Sequence, residues 1–151
     1  MDNKNIKLLE DLLYNFENEV VIEKVGNIEN SELLHIFAAN YNWNNGFDVP
    51  RAIINNKYCD YGTGLLLFYY ADGYRFLMDK EEVLSSPLLE WKNFITHLFE
   101  KLINIDFNTQ EISFRPDLSK IQVFKLRKNN PNVPEVLIEK SPGIVIDIPK
   151  I

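Results

Sequence analysis

The sequence predicts a mainly α fold in which short helices stack as they do in helical-repeat (α-α superhelix) proteins. Apolar residues recur at three- and four-residue intervals along most of the chain, which places them on one face of a helix. The helices predicted between residues 31 and 71 are only about 10 residues long and are joined by tight turns of Asn, Gly and Asp. The 151 residues are expected to form one domain, with a helical core over 4–106 and a less regular segment over 107–151.

The N-terminal segment predicts an amphipathic helix over roughly residues 4–17. Its apolar stripe consists of Ile6, Leu9, Leu13 and Phe16. The apolar residues 20–22 either extend this helix or form a short strand, and Gly26-Asn27 ends the pattern.

Two short helices follow. Ser31 is expected to cap the first, which ends in a polar turn at residues 42–46. Asp48 is expected to cap the second, with Pro50 in its first turn, where a missing N–H costs no helical hydrogen bond. This second helix is expected to stop at Asn55-Asn56.

The most apolar helix is expected to start after Asp60 and to include the run Leu65–Ala71. A segment that is apolar on all sides indicates a helix buried at the centre of the molecule. Gly62 and Gly64 lie in its first turns, although each glycine costs about 1 kcal/mol relative to alanine in a helix. Their presence predicts a neighbouring helix that approaches this one closely.

The clearest helix is expected to open at Ser86-Pro87 and to run to Ile103, after a short helical turn at Lys80–Leu84. Its apolar stripe consists of Leu88, Trp91, Phe94, Ile95, Leu98, Phe99, Leu102 and Ile103. His97 belongs to the polar side and is expected to face solvent.

The C-terminal segment predicts one more helix over residues 118–126, capped by Asp117 or Ser119. Residues 136–138 and 144–148 are apolar and are bounded by Pro and Gly, which favours extended chain. Together with Ile112 and Phe114, which alternate around Ser113, they leave open a small two-strand element.

The composition excludes several classes of protein. Hydrophobic residues make up 46% and charged residues 25%, as in an ordinary globular domain and unlike a disordered chain. The single Cys59 can form neither an internal disulfide nor a structural zinc site. The longest apolar run has seven residues, against about 20 needed to cross a bilayer, and the N-terminus lacks the pattern of a signal peptide. We therefore expect no membrane contact and a cytoplasmic location.

Charge is distributed unevenly along the chain. Residues 1–50 carry nine acidic and three basic side chains, whereas residues 111–151 carry five acidic and seven basic ones. An acidic protein of net charge −6 is not expected to bind nucleic acid, which requires a basic surface to replace the counterions of the phosphates. The acidic N-terminal third is either a solvated surface or an attraction for a basic protein partner.

Several segments form a distinctive pattern. They are LHIFAANYNWNNG at residues 34–46, PRAII at 50–54, Cys59-Asp60-x-Gly62-Thr63 and Ala71-Asp72-Gly73. Together they resemble a bacterial family known only as a domain of unknown function, DUF4274, over roughly residues 32–75, and the tail segments 118–126 and 130–135 look similar to those of the family. Asn45 stands where that family commonly has Asp, and Gly64 where it has Ala. The resemblance implies a bacterial origin and no activity, because the family has no established catalytic residues.

The residues that could perform chemistry are few. Cys59, His35 and His97 are the candidates for a nucleophile and its base. Cys59 precedes a helix N-terminus, which can lower a thiol pKa, but a buried and inert cysteine is the favoured interpretation. Both histidines are expected on solvated helix faces. The spacings of metal ligands, phosphate-binding loops and dinucleotide sites are missing, so no cofactor and no metal are expected.

Trp43 in the polar turn has two interpretations. As an exposed aromatic side chain it would anchor a partner, together with Asn45 and Asp48. As a largely buried one it would fold between the second and third helices while the asparagines cap helix ends.

The sequence therefore favours a non-catalytic bacterial protein-binding domain in the cytoplasm, of the immunity or antitoxin kind, which contacts a basic protein through its first three helices. One alternative is a small enzyme or ligand-binding protein with a pocket near Cys59, Asp60 and Asp72. Another is a scaffold module of a larger assembly. The sequence leaves the oligomeric state open.

Overall fold

Nine α-helices build the fold in the computed structural model of the protein, which describes residues 1–151. They are α1 (Asn3–Glu10), α2 (Asn18–Gly26), α3 (Ser31–Asn40), α4 (Asp48–Asn55), α5 (Tyr61–Tyr70), α6 (Gly73–Met78), α7 (Lys80–Leu84), α8 (Leu89–Ile103) and α9 (Lys120–Asn129). A π-helical turn at Asp11–Asn15 continues α1, and 3-10 turns cover Trp43–Asn45 and Glu135–Leu137. The predicted mainly α fold of packed helices is confirmed.

The N-terminal helix spans residues 3–15 when its π-helical turn is included, close to the predicted range. Residues 20–22 form neither its continuation nor a strand. The backbone is extended at Phe16 and Glu17, and a separate helix, α2, begins at Asn18. The turn between α1 and α2 allows both helices to place apolar residues on the same core.

The first five helices pack mostly on the next helix but one. α1 contacts α3, α2 contacts α4, and α3 contacts α5, as expected for stacked short helices. α5 lies at the centre and also contacts α6 and α8. All its residues from Tyr61 to Phe68 are buried, which confirms the prediction of a central helix.

No helix of the structure combines the length and the apolar character needed to traverse a bilayer.

Two predicted helix caps are wrong. Asn30, not Ser31, caps α3 by accepting a hydrogen bond from the backbone N–H of Leu33, while the Ser31 hydroxyl donates to the carbonyl of Tyr58. Asp48 is the first residue of α4 and makes no capping bond. In both cases the helix starts one residue earlier than predicted, so the N-cap positions are Asn30 and Phe47, and Phe47 supplies no side-chain hydrogen bond.

Two other caps are confirmed. The Asp60 carboxylate accepts from the N–H of Gly62 at the start of α5. Ser119 and Gln122 form a reciprocal capping box at the start of α9.

The two-strand element does not form. The C-terminal segment contains a single parallel bridge between Ile112 and Ile144, in which the N–H of Ser113 donates to the Ile144 carbonyl at 2.8 Å. Residues 136–138 are expected to be extended, but residues 136 and 137 belong to a 3-10 turn and Ile138 caps it. That turn, entered from Pro134, brings Leu137 into the core, where it is fully buried.

Candidate functional site

The Asp60 side chain is buried and fully used in holding the structure together. Its Oδ1 accepts hydrogen bonds from the Thr109 hydroxyl at 2.6 Å and the Glu111 N–H at 2.7 Å. Its Oδ2 accepts from the N–H groups of Gly62 at 2.9 Å and Ile112 at 3.1 Å. One carboxylate thereby caps α5 and fastens the extended segment 109–112 across its N-terminus.

The two glycines of this motif make room for the same segment. A Cβ atom on Gly62 would lie 1.7 Å from the carbonyl oxygen of Ile112, and one on Gly64 would lie 2.5 Å from the Phe107 ring. The close neighbour that the glycines predicted is therefore extended chain and the Phe107 side chain rather than a helix.

Cys59 is buried beside this clamp. Burial raises the pKa of its thiol to about 12, so the reactive thiolate is scarce at neutral pH. It lines a cavity of about 160 Å³ together with Lys101, Asp106 and Asn108. The geometry gives this cysteine the properties of a core residue.

His35 does not face solvent, which contradicts the prediction. Its side chain is 1% exposed, and its Nδ1 atom lies 2.8 Å from the Thr63 hydroxyl oxygen. Burial lowers the pKa of His35 to about 4, so the imidazole is neutral at physiological pH. The burial of His35 could have been predicted from the residues around it. The run Leu33–Ala38 is apolar except for His35, and a helix that is apolar on all sides has no solvated face. His97 is exposed, as predicted.

Trp43 is half-buried and belongs to an aromatic cluster. Its ring centroid lies 5.3 Å from Tyr41, 6.0 Å from Phe47 and 6.1 Å from Phe94. Its indole Nε1 is buried without a hydrogen-bond partner. Trp43 therefore connects the polar turn to α8, and its contacts with Tyr41 and Phe47 place it between the end of α3 and the start of α4.

Asn45 and Asp48 lie on the surface near this cluster. The carbonyl of Asn45 accepts a hydrogen bond from the Asn18 amide at 3.1 Å, which ties the turn to α2. The side chains of Asn45 and Asp48 make no hydrogen bond within the chain. Both remain available to a partner.

A groove lies beside the aromatic cluster. It has a volume of about 580 Å³ and is lined by Phe47, Asp72, Arg75, Pro87, Leu88, Leu89, Glu90 and Trp91. Leu88 and Leu89 are each 59% exposed and are adjacent, so they form an apolar patch rather than a single exposed leucine. Trp91 is buried and donates its indole N–H to the Ala71 carbonyl at 2.7 Å, so one wall of the groove is rigid.

The prediction that Leu88 belongs to the buried stripe of α8 is wrong. Leu88 has the correct spacing from Trp91, but it precedes the first residue of α8 and turns away from the core. Ile103, at the other end of the stripe, is also exposed, at 38%. Helical periodicity cannot show where the helix stops contacting its neighbours.

The charged residues of the groove differ in their pairing. Arg75 forms an ion pair with Glu82 at 2.9 Å, and its guanidinium lies 5.2 Å from the centre of the Trp91 ring. Asp72 and Glu90 are exposed and have no ion-pair or side-chain hydrogen-bond partner. Asp72 also adopts the left-handed conformation, with φ of 66°. The unsatisfied charge of the groove is therefore negative.

The predicted site residues fall into two groups. Trp43 packs on Phe47, and Phe47 lines the groove together with Asp72, so the polar turn and Asp72 belong to one surface. Cys59 lines a different cavity. No three His, Cys, Asp or Glu side chains come together in a way that could hold a metal ion.

The family comparison agrees with the resemblance found in the sequence. Residues 29–103 match the model of a family described as a domain of unknown function (DUF4274). The match extends from the cap of α3 to the end of α8 and includes the groove and Asp60, whereas the segment 109–112 that Asp60 holds lies beyond it. No curated protein and no solved structure matches the chain.

Proposed function

Residues 29–103 belong to the DUF4274 family, and on that premise we propose that this domain is a non-catalytic protein-binding module whose contact surface is the groove between Phe47 and Trp91. The observation that carries the proposal is the exposed pair Leu88 and Leu89 beside a rigid aromatic wall. Exposed apolar residues next to aromatic side chains are the usual centre of a protein contact.

The groove favours a partner that is apolar and basic. Leu88 and Leu89 would pack on an apolar side chain of the partner, and Asp72 and Glu90 would attract a nearby Lys or Arg. The net charge of −6 adds a long-range attraction for such a partner. In its specific form, the proposal is that this bacterial, cytoplasmic protein masks a basic toxin or effector, as an immunity protein does.

The alternative of a small enzyme or ligand-binding protein with one pocket near Cys59, Asp60 and Asp72 has less support, because Cys59 and Asp72 line different cavities. Nucleophilic catalysis by Cys59 would require an accessible thiolate, whereas Cys59 is buried and its pKa is raised. Both carboxylate oxygens of Asp60 accept hydrogen bonds from the chain itself, so they are not free to bind a substrate. A scaffold role differs from masking only in the consequence of binding, and the same groove would serve it.

The test is site-specific photocrosslinking in the native host. A photoreactive residue at position 88 is compared with one at position 103, which is exposed on the other end of α8 and lies outside the groove. We expect one basic protein to be crosslinked from position 88 and not from position 103. Equal crosslinking patterns from the two positions would contradict the proposal.

A quantitative step follows with the purified partner. Asp72→Asn removes the charge and retains a residue type that tolerates the left-handed conformation. We expect Asp72→Asn to weaken binding several-fold at low salt, and the double substitution Leu88→Ser and Leu89→Ser to abolish it. Glu100→Gln, on an exposed face of α8 away from the groove, is the matched control and should leave the affinity unchanged.

A further inference from the structure

Helix α9 exposes an apolar surface that the fold does not cover. Leu126 is fully buried and anchors the helix, and the Asn130 amide donates to the Leu77 carbonyl at the end of α6. On the opposite side Ile121 is 67% exposed and Phe124 is 66% exposed. Since these two residues are three apart, they lie side by side on the solvent face of the helix.

This face is also strongly basic. Lys120, Lys125 and Lys128 are exposed, lie within four residues of Ile121 or Phe124, and have no ion-pair partner in the chain. Helix α9 contains no acidic residue. Two large apolar side chains surrounded by three free ammonium groups fit a surface that is both apolar and acidic. We call this set of five residues the α9 surface.

A surface of that chemistry is present at the other end of the chain. Phe16 and Val20 are exposed at the start of α2, at 37% and 38%. Around them lie Glu17, Glu19 and Glu23, which are exposed and likewise have no ion-pair partner. We call these five residues the α2 surface. One ammonium group lies beside it, that of Lys24, 5.4 Å from the centre of the Phe16 ring, so the three carboxylates leave the surface with a net negative charge.

The two surfaces belong to different parts of the fold. Helix α2 rests on α4, whereas α9 rests on α6. We propose that the α9 surface of one molecule binds the α2 surface of a second copy, which joins molecules head to tail. A twofold contact of α9 with α9 is disfavoured, because it would bring the three lysines of one copy against those of the other.

The experiment measures self-association of the full chain by sedimentation velocity over a range of protein concentrations. At low ionic strength the weight-average mass should rise above the monomer value of 17.7 kDa. It should return to that value at about 1 M salt, where the Debye length is about 3 Å. A chain that is monomeric at low salt at every concentration overturns the proposal.

Two neutralised variants test which surfaces meet. Lys120→Gln, Lys125→Gln and Lys128→Gln are combined in one variant, and Glu17→Gln, Glu19→Gln and Glu23→Gln in another. Each variant alone should dissociate about tenfold more readily than the wild type. Mixed together, they retain one intact pair of surfaces and should form a 1:1 dimer that grows no further. A mixture that remains monomeric contradicts the head-to-tail contact.

Further variants separate charge from packing and from other partners. Ile121→Ser with Phe124→Ser should weaken association to a similar extent, since both residues lie in the contact. Lys57→Gln, Lys140→Gln and Lys150→Gln together make the same change in net charge elsewhere and should have no effect. Vesicles of anionic lipid test the other partner. If the wild type binds them, and the α9 lysine variant loses this binding but still self-associates, the α9 surface contacts a membrane and the proposal is overturned.

This inference is independent of the groove. Leu88, Leu89 and Asp72 take no part in it, so the groove variants should self-associate like the wild type. The α9 variants should in turn bind the groove partner normally.

Discussion

The Nδ1 atom of His35 on α3 lies 2.8 Å from the Thr63 hydroxyl oxygen on α5, and both side chains are buried. This hydrogen bond joins two helices that pack at the centre of the fold. It satisfies two buried polar groups that lie among the apolar side chains of the core. A neutral imidazole is therefore part of the folded structure, with consequences for stability against pH.

Stability should fall as the pH drops from about 6.5 to about 4. The ordinary pKa of histidine is 6.5, and burial lowers that of His35 to about 4 in the folded state. Between these values the unfolded chain binds a proton that the folded chain does not, so protonation favours unfolding by up to about 1.4 kcal/mol per pH unit. Urea unfolding at a series of pH values measures this slope.

The two histidines provide the control for this experiment. His97→Gln removes the exposed histidine and should leave most of the slope, whereas His35→Gln should remove most of it. The wild type and both variants contain the same carboxylates, so the difference between their slopes reports the histidines alone. An unchanged slope in His35→Gln would show that another group is responsible.

Asp60→Asn should destabilise the protein by about 2–5 kcal/mol. In the wild type each carboxylate oxygen accepts two hydrogen bonds. In Asp60→Asn one of these oxygens becomes an NH₂ group, which cannot accept, so buried donors are left unsatisfied. Asp106→Asn, at an exposed position, is the matched control and should cost less than about 1 kcal/mol. Chemical denaturation gives both values. Faster amide hydrogen exchange at Glu111 and Ile112 should accompany the loss in Asp60→Asn.

Gly62→Ala and Gly64→Ala should differ sharply although both lie in the first turn of α5. Alanine gains about 1 kcal/mol of helix propensity at either position. At position 62 the new methyl group meets the backbone carbonyl of Ile112, which cannot move without breaking the clamp, so we expect a loss of more than about 2 kcal/mol. At position 64 it meets the Phe107 ring, which can rotate, so the net change should be small.

A double substitution checks this explanation. In a Phe107→Ala background the obstacle at position 64 is gone, and Gly64→Ala should become stabilising. The same background should give no relief to Gly62→Ala. Similar costs for both alanines in either background would mean that the close contacts are not what selects glycine here.

Cys59 should resist thiol reagents in the native protein. It is buried, and burial raises its pKa to about 12. Modification by a disulfide reagent should therefore occur only as fast as the protein opens, and should become rapid in denaturant. A cysteine introduced by Asn55→Cys, at an exposed position, should react quickly under native conditions. Rapid native modification of Cys59 would reopen the enzyme alternative.

Much of the fold could be predicted because helices depend on residues close in sequence. The apolar spacing of α1 and α8, the continuous apolar run of α5 and the caps at Asp60 and Ser119 are all local features, which extend over a few helical turns. Of the candidate site, the Trp43 turn is predicted from the sequence, since polar turns stand out between apolar runs, whereas Asp72 is predicted in a pocket with Cys59 and Asp60 and lines the groove instead. That the Trp43 turn and Asp72 belong to one surface could not be predicted, because Phe47 and Asp72 come to line the same groove only in the folded molecule.

Composition and local pattern suffice to predict the helical class, the position of the central helix and the acidic first third of the chain. They do not predict which polar residues are buried and which apolar residues are exposed, since both depend on contacts between distant segments. Asp60 contacts residues up to 52 positions away, and His35 finds Thr63 28 positions away, so their burial depends on packing rather than on local pattern. Leu88 and Ile121 carry the spacing of core residues but remain in solvent, because no helix packs against them.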